Sequence, residues 1–181
     1  MKKENNLRNI ICFTVILTSA SFTYYLTSFY TKYFPGNIYT IITLSTIADC
    51  SAAIISGILA TYLGNKKTIA IFFTVGATAG SIYLVTMSSG LATAYIINVC
   101  VMLAKFGSSG AFNISFVVVP EFFDPSYRST VFGISNTVAR VFSILSSMVA
   151  EMAEPWPMLL YLIFCVASIV AALALSKSSL N

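Results

Sequence analysis

Apolar stretches alternate along this chain with short polar breaks. Positions 10–30 carry no charge and are closed by Lys32, Pro35, Gly36 and Asn37. Positions 38–62 hold a single charge, Asp49, and end at Gly64, Asn65, Lys66 and Lys67. Positions 68–87 run to a turn at Ser88, Ser89 and Gly90. Positions 91–119 are longer and contain Lys105. A polar loop at 120–129 carries Glu121, Asp124, Pro125 and Arg128. Positions 130–150 contain Arg140, a loop with Glu151, Glu154, Pro155 and Pro157 follows, and 158–175 are apolar again. A membrane-crossing helix needs about 20 residues at 1.5 Å each. The pattern predicts an all-α, polytopic bundle of six transmembrane helices over 10–175. Residues 1–9 and 176–181 read as cytoplasmic ends.

Composition agrees. Of 181 residues, 57% are hydrophobic and 9% are charged, against roughly 25% charged in a soluble domain. Lipid accepts such a surface and water does not. The first span also has the basic start of a signal peptide, with Lys2, Lys3 and Arg8. Its apolar core exceeds the usual 7–15 residues or so and lacks a small-residue cleavage site. It therefore reads as a retained helix. With six spans, Lys2, Lys3, Arg8, Lys66, Lys67, Arg128 and Lys177 share one side, and Lys32 stands alone on the other. The positive-inside rule then places both termini in the cytoplasm.

The net charge of +4 forms no basic stripe, so nucleic-acid binding is not indicated. Cys12, Cys50, Cys100 and Cys165 lie inside apolar stretches without CxxC spacing and read as buried packing residues. There is no histidine, hence neither the usual general base nor the commonest metal ligand. No nucleophile elbow, HExxH or P-loop is present. An enzyme is not expected, and neither is a cofactor or metal.

Small residues recur inside the spans: Gly76 and Gly80 at GxxxG spacing, Ser51 to Ala53, Ser56 and Gly57, and Gly107 to Ala111. They let helix backbones approach closely. Three ionisable residues also lie inside spans. Counted along their helices at 1.5 Å per residue, Asp49 is about 16 Å, Lys105 about 21 Å and Arg140 about 18 Å from an end. All three fall near mid-bilayer, where a charge needs a partner or a cavity. Asp49 paired with Lys105 or with Arg140 would serve as a structural ion pair. The three together point to a solute pathway. Tyr24, Tyr25, Tyr83, Asn98, Asn113 and Asn136 are candidate polar or aromatic contributors.

The stretch Ala104-Lys105-Phe106-Gly107-Ser108-Ser109, then Phe112-Asn113, then Pro120-Glu121-Phe122-Phe123-Asp124-Pro125 and Arg128 resembles the tenth helix and following loop of the organic cation/anion transporters of the major facilitator superfamily. Positions 130–148, with Gly133, Asn136, Ala139 and Arg140, resemble the eleventh helix. Leu63-Gly64-Asn65-Lys66-Lys67 resembles the loop between helices eight and nine. The resemblance implies spans seven to twelve of a twelve-span fold, the C-terminal six-helix half. It implies Arg140, at a position that is arginine in many anion transporters, as a substrate ligand, and Lys105 matches the family's tenth-helix lysine; Asp49 and Asn136 join them as candidate substrate-binding residues from their place in the spans. It implies Glu121, Arg128, Lys66 and Lys67 as a cytoplasmic gate. Asn65 stands where a basic residue is usual, Ala53 where some anion transporters carry lysine, and Asp124-Pro125-Ser126 departs from the usual loop.

The expected function is alternating-access transport of a small organic ion, an anion before a cation or a carnitine-like zwitterion, at the plasma membrane. The expected partners are the solute, the lipid bilayer, and an N-terminal six-helix half or an oligomer. The chain reads either as a piece of a twelve-helix protein or as a half-transporter. The rival reading is a non-transporting membrane subunit or regulatory fragment.

Overall fold

The computed structural model describes residues 2–33, 38–89, 94–123, 125–153 and 155–175. The turn at Pro35 to Asn37, the start of the fourth span at Leu91, Asp124, Glu154 and the 176–181 tail lie outside the described residues. The elements are α1 (Lys2–Tyr30), a 3-10 turn (Thr31–Tyr33), α2 (Ile38–Leu63), α3 (Asn65–Ser88), α4 (Ala94–Val117), α5 (Val119–Phe122), α6 (Pro125–Ala150) and α7 (Trp156–Ala174). Six helices are long and apolar enough to cross a membrane. The protein is a polytopic helical membrane bundle.

Two boundaries differ from the sequence reading. Positions 120–129 are largely helical: α5 is one short turn, and α6 starts at Pro125. Proline is compatible with a first helical turn, where its missing N–H would be unpaired anyway. Gly64, at φ 83°, separates α2 from α3. That left-handed conformation is easy for glycine and strained for other residues.

The bundle is built around α1. Some 67% of its most apolar window is buried, against 17% for α2 and 22% for α6. It packs against α4, α6 and α7, while α3 packs against α4 and α7. Phe13, Ile16, Leu17 and Ala20 of α1 are fully buried. Phe22 stacks on Phe164 of α7 with centroids 4.2 Å apart. Several polar residues in this core are satisfied by their own helix, whereas the Thr18 hydroxyl is buried without a partner among the described residues. Thr23 donates to Ser19 O at 2.8 Å, and Thr27 to Thr23 O at 2.9 Å. Between helices, the Thr14 and Ser135 hydroxyls lie 2.8 Å apart.

Small residues set the α3–α4 contact. A Cβ on Gly107 would sit 2.7 Å from Gly76 N and 2.8 Å from Phe72 O. Across the same contact, Tyr161 of α7 donates its hydroxyl to Ala104 O at 3.0 Å. Three cysteines are buried, but Cys50 is exposed. It lies on α2, the helix with least cover, so apolar context alone did not imply burial.

Candidate substrate site

The mid-span charges occupy three different helices, and α1 runs between them. Lys105 of α4 is 4% exposed. Its Nζ lies 3.6 Å from Asp49 Oδ2 of α2 and 3.9 Å from the centroid of the Tyr24 ring. It also donates to the Ser28 hydroxyl. Tyr24 and Ser28 are one helical turn apart on α1 and so share a face. A buried ammonium is costly without partners, and Lys105 has three.

Arg140 of α6 is exposed. It donates to the Tyr25 hydroxyl at 2.9 Å. Among the described residues, no carboxylate lies within ion-pair distance of it. Asn136 is half-buried one turn earlier on the same helix. Between the two cations lies a run of rings. Tyr24 stacks on Phe112 of α4, with centroids 5.0 Å apart and planes 11° apart. Tyr25 meets Phe112 edge-on at 6.4 Å, and Phe112 meets Phe116 edge-on at 5.0 Å. The geometry therefore joins Asp49 to Lys105 and holds Arg140 apart with Tyr25. Neither Phe112 nor Ser28 was singled out as a site residue from sequence. A signal existed for both: Phe112 is two helical turns from Lys105, and Ser28 one turn from Tyr24.

The expected gate residues gather at one end of the bundle in a different pattern. Asn65 donates to Glu121 Oε2 at 2.9 Å. The neutral side chain at this position thus still reaches the carboxylate. Arg128 donates to the backbone carbonyls of Pro120 at 3.1 Å and Phe123 at 3.2 Å. Lys66 donates to Leu173 O at 2.8 Å and Leu175 O at 2.6 Å, at the end of α7. Lys67 is exposed. At the opposite end, Lys32 pairs with Glu151, which also accepts from the Tyr33 hydroxyl. These two donors hold the Glu151 carboxyl below the usual range.

No family model matches the chain. Curated proteins do. Organic cation/carnitine transporter 2 of Homo sapiens is 28% identical over 142 residues, which is 78% of this chain and 25% of that protein. Organic anion transporter 3 of Oryctolagus cuniculus is 30% identical over 161 residues, 87% of this chain and 28% of that protein. Solute carrier family 22 member 21 of Mus musculus is 27% identical over 142 residues, 78% of this chain and 25% of that protein. The chain is homologous to the organic cation and anion transporters. It spans about a quarter of the length of these relatives. By name, two of these relatives are transporters of organic cations and carnitine and of organic anions.

Proposed function

We propose that this chain forms one wall of an organic-anion pathway, with Arg140 as the ligand for the substrate's carboxylate or sulfonate. The observation that carries the reading is the division of charge. Asp49 pairs with Lys105, while among the described residues Arg140 is held only by a neutral hydroxyl. A guanidinium stays charged at any accessible pH and can grip a carboxylate with two parallel hydrogen bonds. Tyr24, Tyr25 and Phe112 offer ring faces and edges to an organic body, and Asn136 offers a further polar contact. Lys105 acts in this reading through its field, because its ammonium is buried among Asp49, Ser28 and Tyr24. The opposing wall is a partner six-helix half, since α2 and α6 expose most of their surface. Rocking of the two halves then gives alternating access. Glu121, Arg128, Lys66 and Lys67 cluster where a cytoplasmic closure would form, and the plasma membrane is the proposed location.

The test is uptake of benzoate into proteoliposomes holding the chain together with a partner half taken from a transporter relative. Arg140→Asp is expected to cut uptake at least tenfold, and Arg140→Lys to retain part of it because the paired grip is lost. Unchanged uptake in Arg140→Asp would overturn the reading. A zwitterion is the second reading, supported by the carnitine transporter among the relatives. Uptake of a betaine in place of benzoate would favour it.

A further inference from the structure

The wall carries two cations and one anion at mid-span, and their geometry assigns them unequal parts. Lys105 is buried, and its charge is balanced by Asp49 at 3.6 Å. Asp49 Oδ1 is buried with no hydrogen-bond partner among the described residues. The Tyr24 hydroxyl also lies against the Asp49 carboxylate, but it is neutral, so the positive charge that faces Asp49 is that of Lys105. Arg140 remains as the one exposed mid-span cation among the described residues. The three formal charges leave the strip with a net charge of one positive unit.

We propose that Asp49 sets the valence of the anion: by cancelling Lys105, it makes this a site for monoanions rather than dianions. The proposal rests on the anion reading of Arg140 given above. Asp49 is a positioning residue, acting through the field of Lys105 and not by contact with substrate. Removing its charge releases a second positive charge within the low-dielectric strip. That charge favours a second carboxylate on the ligand by on the order of tenfold.

The experiment compares benzoate with isophthalate, which share one ring and carry one and two carboxylates. Apparent affinities are read from the ligand-dependent rise in thermal midpoint of the purified chain held together with the same partner half in detergent. The native chain is expected to bind benzoate at least as tightly as isophthalate. Asp49→Asn is expected to shift the affinity ratio about tenfold toward isophthalate. The double variant Asp49→Asn with Lys105→Gln removes both charges and is expected to restore the native ratio. A merely structural role for Asp49 would change both affinities together and leave the ratio unmoved, which overturns the proposal. If Asp49→Asn does not fold, the double variant still decides, because a ratio shifted toward isophthalate without Lys105 also overturns it. Failure of the native chain to bind either probe would sink the anion site itself. Native benzoate binding with an Asp49-independent ratio would sink only the valence rule.

Discussion

At the residue scale, Tyr25 is the support for Arg140. Tyr25→Phe keeps the ring and removes the acceptor, so the guanidinium loses its hydrogen bond to the phenol. Loss of a bond to a charged group costs about 1.5–3 kcal/mol, much of which solvent can recover at an exposed side chain. The expected result is a roughly fivefold loss of benzoate affinity without a change in thermal midpoint. Glycines supply a second residue-scale prediction. Gly107→Ala drives a Cβ against the backbone of Gly76 and Phe72, and overpacking of this kind costs about 1–3 kcal/mol. Gly57, with nothing within 4 Å of its Cβ position, should tolerate alanine with a change below about 0.5 kcal/mol. Unfolding in detergent compares the two directly. The sequence located the mid-span charges but left the partner of Asp49 open. Depth along a helix has a period of 1.5 Å per residue and cannot tell which neighbour a side chain faces. That choice depends on helix rotation, fixed here by contacts such as Gly107 on Gly76.

At the element scale, the six spans were legible because lipid demands long uncharged helices and charges punctuate them. The centrality of α1 was not. Thr23 and Thr27 look polar in a hydropathy count, yet they bond to carbonyls of their own helix and bury freely. Nor was the helical character of 120–129, because proline and charge together read as loop. The ends of elements carry their own test. Glu151 is held below the usual carboxylate range by Lys32 and Tyr33. A depressed folded value means the stabilisation is present above the ordinary carboxylate value of about 4.3 and is lost as pH falls through the folded one. Glu151→Gln should therefore lower the thermal midpoint slightly at pH 7, and the difference should vanish in the acid range. A difference that grows with acidification would mean the carboxylate is not paired in solution.

At the scale of the whole molecule, the gate cluster and the Lys32–Glu151 pair mark opposite ends of the bundle. On the orientation expected from the positive-inside rule, Glu151→Cys should react with an impermeant maleimide on sealed cells, and Lys67→Cys only after permeabilisation. The reverse pattern would invert the orientation. The central place of α1 also has a meaning for biogenesis. Thr14 and Ser135 touch across 121 residues of sequence. Translation runs at about 5–20 residues per second, so that partner reaches the membrane roughly ten seconds or so after α1 does. During that interval α1 sits in lipid, or in the insertion machinery, with the face that α6 and α7 cover still bare. Stop codons ahead of α6 should thus yield a chain in which α1 has α4 beside it but lacks the cover of α6 and α7, and quality-control proteases are expected to clear it.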